Sequence, residues 1–231
     1  VLRFDYRGMG DSGGTPRDFE AVSDDIGAAI RALRQAVPGL RQVALWGLCD
    51  GASAALLYVH EGQPQPVAGL CLLNPWVRSA QSQATAQVKH YYTQRLRERE
   101  FWVKLLRGQV GLGRLSELVG SLRTMLAGRS APRAPQAQPS FQHRMARAWL
   151  GFDGGLLLIL SGNDLTAKEF IETTAADPAW RGALAHPRLS RIDQPAADHT
   201  FSDAAEREAV EQATRDWLDR LAGTADASAR G

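Results

Sequence analysis

Gly47-Leu48-Cys49-Asp50-Gly51 places a thiol between two glycines and is the stretch of this chain best suited to nucleophilic chemistry. An apolar strand, Gln42 to Trp46, runs directly into it. An alanine- and leucine-rich helical pattern follows from Ala52 to His60. This strand–turn–helix context is the one a nucleophile elbow requires. Its sharp turn favours residues without a Cβ on either side, which gives Gly47 and Gly51 a steric reason. At the start of a helix the exposed N–H groups and the helix dipole favour a thiolate at Cys49. The Asp50 N–H would face a developing oxyanion. The structural alternative is a buried cysteine packed as a small hydrophobe at a tight turn.

A nucleophile at an elbow of this type is followed along the chain by an acid and then a histidine. The apolar run Leu156–Leu160 reads as a buried parallel strand and leads to Ser161-Gly162-Asn163-Asp164. The alternating stretch Arg188–Ile192 reads as another strand. Asp198-His199-Thr200-Phe201 then precedes a last helix from about Ala204 to Leu221. The order Cys49, Asp164, His199 therefore holds. His199 would accept the thiol proton and later protonate the leaving group, and Asp164 would fix the imidazole tautomer. Each residue has an ordinary reading by itself. Asp164 suits an Asx-turn after Gly162-Asn163, His199 suits a solvated loop, and the neighbouring Asp198 is a rival acid. Cys71, the other of the two cysteines, lies in the apolar run Val67–Leu73 and reads as a buried strand residue.

A third block opens the chain: Phe4-Asp5-Tyr6-Arg7-Gly8-Met9-Gly10-Asp11-Ser12, after a strand ending in Val1–Phe4. Its arginine and aspartates can brace neighbouring turns, and no Gly-Lys-Ser/Thr follows to make it a phosphate loop. Together, Asp5–Ser12, Gly47–Gly51, Ser161-Gly162-Asn163-Asp164-Leu165-Thr166 and Asp198-His199-Thr200-Phe201-Ser202 resemble the α/β-hydrolase superfamily. More narrowly, they resemble the type 1 hydrolases associated with the exosortase A system of exopolysaccharide-producing bacteria, with Gly-Leu-Cys-Asp as the most specific mark. The resemblance implies a Cys49-Asp164-His199 triad where most relatives carry serine. It also implies a mostly parallel sheet with helices on both faces and an inserted helical cap. Members would begin with further strands and a glycine-rich oxyanion loop. The sequence opening at Val1 thus gives the expectation of a fragment whose first strands, and the second oxyanion donor, are missing.

The remaining chain fits that architecture. A helix is expected from about Asp18 to Val37, with Phe19, Val22, Ile26, Ala29, Ile30 and Leu33 on one stripe, ended by Pro38-Gly39. Residues 1–75 and 151–231 would form two parts of one core, with residues 76–150 as the cap. Helices are expected at Thr85–Leu106, Leu112–Leu126 and 141–149, with a Pro/Ala/Gln linker at 131–139 and an unstructured tail from Ala222. Net charge is only +2, yet residues 76–150 hold thirteen basic residues against three acidic ones, a local +10. Solvated helix faces and an anionic partner both account for this. The aromatics there fall at helical spacing, which argues against nucleic acid. No cluster has metal-ligand spacing, no cofactor is implied, and no apolar run reaches the roughly 18 residues of a membrane span.

These features predict a cytoplasmic acyl hydrolase acting on esters or thioesters through a covalent acyl-enzyme, its substrate a small molecule or an acylated saccharide. An acyltransferase on the same triad and a non-catalytic binding protein on the same fold are the alternatives.

Overall fold

The computed structural model describes residues 1–78 and 139–228, with side chains through Gly223. Apart from Arg78, the described residues belong to the compact unit Val1–Val77 with Pro139–Gly231. The expected helices Thr85–Leu106 and Leu112–Leu126, the linker up to residue 138 and most of the basic charge fall at residues 79–138, outside the described residues, whereas the third expected helix, 141–149, is present as Phe141–Gly151.

Among the described residues, four parallel strands form one sheet in the order β1 (Ala44–Leu48), β2 (Gly69–Leu73), β3 (Gly155–Ser161), β4 (Leu189–Gln194). Parallel strands need helical crossovers, and these cover the sheet. Helix α1 (Ser23–Ala36) precedes β1, and α2 (Asp50–His60) links β1 to β2. Helix α3 (Phe141–Gly151) precedes β3, α4 (Leu165–Ala176) links β3 to β4, and α5 (Ala204–Ser228) closes the chain. The described residues thus show the parallel sheet layered with helices that the α/β-hydrolase resemblance implies.

The two-residue period of the strands sorts their side chains between two layers. Leu70 and Leu72 of β2 join Leu156, Leu158 and Leu160 of β3 in one core with Leu56 and Leu57 of α2, Met145 and Trp149 of α3, and Phe170 of α4. Cys71, Leu73, Leu157 and Ile159 face the other way, onto Val210 and Trp217 of α5. Helix α1 buries Ile26 and Ile30 against Ala54 and Tyr58 of α2, and starts on Asp24 and Asp25, which suit the positive end of its dipole.

Three local expectations change, and one helix is added. Val1–Phe4 forms no strand: among the described residues no strand pairs with it, and Leu2 and Phe4 are exposed. The expected helix from Asp18 begins as a short 3-10 turn, Phe19–Ala21, capped by Asp18, before α1 proper. Helix α4, for which no element was expected, is started by Asp164. Helix α5 runs on to Ser228, where a tail without structure was expected from Ala222.

Candidate active site

Helix α2 begins immediately after Cys49, whose backbone is held at φ 59° and ψ −119°. A side-chain-bearing residue at positive φ costs of order 1–3 kcal/mol and persists only where its surroundings enforce it. Here both backbone groups of Cys49 are held. Its N–H donates to the Leu73 carbonyl at 2.9 Å, and its carbonyl accepts from Ala52, Ser53 and Trp76 at 3.1–3.2 Å. Ser53 adds a bond from Oγ to the Trp76 carbonyl at 2.6 Å. The tightness is one-sided. A Cβ on Gly47 would stand 2.5 Å from the Gly51 carbonyl group, whereas one on Gly51 would meet nothing within 4 Å. Gly47 is therefore the glycine that this turn requires, and the steric reason expected for Gly51 is absent. Gly47→Ala should lower stability by about 1–3 kcal/mol, the range for overpacking, while Gly51→Ala should cost less. Urea unfolding of the two variants checks this.

The acid and the histidine come from the neighbouring strand ends. Gly162 follows β3 so closely packed that a Cβ there would lie 2.2 Å from the Pro195 carbonyl. The loops after β3 and β4 are then joined by Gly162 N–H to Gln194 O at 2.8 Å, Asn163 N–H to Ala197 O at 3.0 Å, and Asn163 Nδ2 to Ala196 O at 2.7 Å. This places buried Asp164 against the histidine loop: Asp164 Oδ2 lies 2.9 Å from His199 Nδ1. The same carboxylate caps α4, accepting from Thr166 N–H at 3.1 Å and Ala167 N–H at 3.0 Å. Both readings of Asp164 hold at once, since the capping bonds fix the carboxylate that receives the imidazole. With Nδ1–H directed at Asp164, the lone pair of a neutral His199 is on Nε2.

The Asp198 carboxylate is engaged within its own loop, and the imidazole of His199 meets Asp164 instead. Exposed Asp198 accepts from the N–H and hydroxyl groups of both Thr200 and Ser202, folding the histidine loop on itself. Those bonds, led by the one from the Ser202 hydroxyl, hold its pKa below the usual aspartate value. Phe201, also at positive φ, anchors the loop in the α5-side core.

Around the elbow, Asp50 Oδ1 accepts from Gly51 N–H at 2.8 Å. Burial, with the Asp50 and Asp25 charges, raises the Tyr6 pKa. Arg7 of the opening motif bonds the Asp25 carboxylate through both N–H and Nε, and Asp5 accepts from Asp11 N–H and Ser12 Oγ. These residues brace turns, as their types suggested. Cys71 is buried, and burial pushes its thiol up to about 12. A cavity of about 340 Å³ adjoins the ends of β3 and β4 and α4, lined by Leu160, Ala167, Ile171 and Pro195 among others; Cys49, Asp164 and His199 do not line it. Among the described residues no three His, Cys, Asp or Glu side chains converge as a metal site requires, and no helix is long and apolar enough to cross a membrane.

Sequence reading passed over Asn74. It is wholly buried, sits at φ 43°, and ties together the ends of β2 and β3 and the histidine loop. Its only signal in the sequence is an Asn-Pro step directly after an apolar strand, an ordinary turn mark.

Residues 1–150 match the family model described as serine aminopeptidase, S33. No curated protein matches the chain. Among solved structures, it is similar to a candidate non-heme bromoperoxidase from Mycobacterium tuberculosis H37Rv, with TM-score 0.53 and 16% identity over 94% of this chain and 80% of that one. A thermophilic esterase from Thermogutta terrifontis gives 0.52 and 20% over 94% and 78%. A candidate alpha/beta hydrolase from Agrobacterium tumefaciens gives 0.52 and 15% over 96% and 70%. At these identities the likeness is one of fold.

Proposed function

The chain belongs to the serine aminopeptidase, S33, family of α/β-hydrolases, and on that footing we propose that it hydrolyses ester or thioester bonds through a Cys49-His199-Asp164 triad. The observation that carries this reading is the 2.9 Å contact between His199 Nδ1 and Asp164 Oδ2, on the two loops where the chain order from Cys49 requires them. The family's name refers to a serine, and this chain has Cys49 at the centre of its elbow.

In this reading His199 Nε2 takes the Cys49 thiol proton, and Asp164 stabilises the imidazolium that forms. The thiolate attacks the acyl carbon, and the carbonyl electrons move onto oxygen, which the Asp50 N–H meets at the start of α2. The carbonyl re-forms as the leaving alcohol or thiol departs with the proton from His199. Cys49 then holds the acyl group as a thioester. His199 next deprotonates a water that attacks the thioester. The acid is released and the thiol is restored.

The substrate class rests on sequence. The four-block resemblance to exosortase A-associated hydrolases supports acylated saccharides of exopolysaccharide biosynthesis or export. The local +10 charge of residues 76–150 supports an anionic substrate.

Activated esters test the reading without the natural substrate. Iodoacetamide at neutral pH should modify Cys49 and leave Cys71, whose thiol burial keeps protonated, untouched in the folded protein. Hydrolysis of a p-nitrophenyl ester should fall in proportion to Cys49 modification. Hydrolysis that persists after complete modification of Cys49 contradicts the proposal.

A further inference from the structure

We propose that Asn74 is a positioning residue that mounts the nucleophile and its base on one turn, an inference that rests on the triad reading above. The Leu73–Trp76 segment holds both ends of the Cys49 backbone: the Leu73 carbonyl accepts from Cys49 N–H at 2.9 Å, and Trp76 N–H donates to the Cys49 carbonyl at 3.2 Å. Between those two residues, the Asn74 side chain turns to the other partners. Its Nδ2 donates to the His199 carbonyl at 3.0 Å and to Ser161 Oγ at 2.8 Å, and its Oδ1 accepts from Ser161 N–H at 2.9 Å. Asn74 N–H donates to the Ile159 carbonyl at 3.1 Å. The amide therefore uses both donors and its acceptor, while wholly buried.

This arrangement leaves three bonded steps between the two reacting side chains' backbones: Cys49 to Leu73, Leu73 along the chain to Asn74, and Asn74 to His199. The Asp164 contact fixes the imidazole ring but acts at its Nδ1. The Asn74 bond fixes the main chain from which the ring projects, and refers it to the same turn that fixes Cys49. The residue type fits the task. The backbone sits at φ 43°, where Asn is among the few side-chain-bearing residues tolerated. Only a planar amide offers two donors and an acceptor from so short a side chain. Misplacing reacting groups by about 1 Å can cost of order 10²-fold in rate, so a mount of this kind has a kinetic effect well beyond its hydrogen bonds.

The test reads the pairing of Cys49 with His199 through iodoacetamide alkylation of Cys49 across pH, mapped by mass spectrometry, in the full chain. His199→Ala should slow alkylation at pH 7 by about tenfold or more and move the profile toward that of a free thiol. Asn74→Gly, which tolerates the positive φ and adds no charge, should move the profile the same way. Ser161→Ala, which keeps the Asn74–His199 bond, should stay within about twofold of wild type. An unchanged profile in His199→Ala overturns the triad reading and this inference with it. A His199→Ala effect with a wild-type profile in Asn74→Gly overturns the inference alone. If Asn74→Gly does not fold, exchange of the Asn74 side-chain amide protons in the unmodified chain decides. Exchange at least tenfold slower than for exposed Gln35 is expected, and equal exchange overturns the inference.

Discussion

Cys49→Ala should reduce ester or thioester turnover by about 10⁴-fold or more, to what binding and the oxyanion donor alone supply. The size of the effect follows from the chemistry. Without sulfur there is no acyl-enzyme, and the remaining route is direct attack by water. The fold should be little affected. Alanine carries the same Cβ as cysteine, so the strain at φ 59° is common to both, and Cys49 is only partly buried. The backbone bonds to Leu73, Ala52, Ser53 and Trp76 do not involve the side chain. A melting curve alongside the kinetics separates the two effects. Lost turnover with an unchanged melting temperature is expected; turnover within tenfold of wild type would place the chemistry elsewhere.

Asp164→Asn should lower kcat by about 10⁴-fold while leaving the helix cap largely intact. The carboxylate does two things: it caps α4 through Thr166 and Ala167, and it receives His199 Nδ1–H. Asparagine is as good a cap as aspartate, and its carbonyl oxygen can keep one of those bonds. It cannot stabilise an imidazolium by charge, and presenting its NH₂ to His199 would favour the tautomer with the proton on Nε2, which cannot take the thiol proton. Asp164→Ala loses both functions and should add about 0.5–2 kcal/mol of destabilisation to the same kinetic defect. A fall in rate of less than tenfold for Asp164→Asn, with stability retained, would leave capping as the residue's only role. Asp198→Ala offers the contrast, because that carboxylate is engaged by Thr200 and Ser202 within its own loop.

The sequence made some of this legible and hid the rest for physical reasons. The buried strands were readable because parallel strands covered on both faces are nearly continuous apolar runs, as in Leu156–Leu160. Helix α2 was readable because glycines and a following alanine-rich stretch bound it tightly. Asp164 and His199 stood out by their places after strands, and the structure brings the two side chains together. Three features were beyond a local pattern. Val1–Phe4 is apolar enough for a strand, but a strand exists only with a partner, and pairing is not written in a four-residue run. Gly51 looked equivalent to Gly47, yet only the fold shows that the Gly51 carbonyl closes on Gly47 and not the reverse. Asn74 looked like a turn residue before proline. Its four hydrogen bonds reach Ser161 and Ile159, more than eighty residues away, and His199, 125 residues away, and no short-range signal encodes such partners.

The central claim is covalent acyl transfer to Cys49. Intact mass spectrometry of the protein during incubation with activated esters and thioesters tests it most directly. A transient adduct of the acyl mass is expected, mapping to Cys49, absent in Cys49→Ala, and longer-lived in His199→Ala wherever it forms, because deacylation needs the base. Turnover with no adduct at Cys49, or a folded protein with neither adduct nor turnover across the panel, would contradict it; the second result would support a binding protein built on a hydrolase fold.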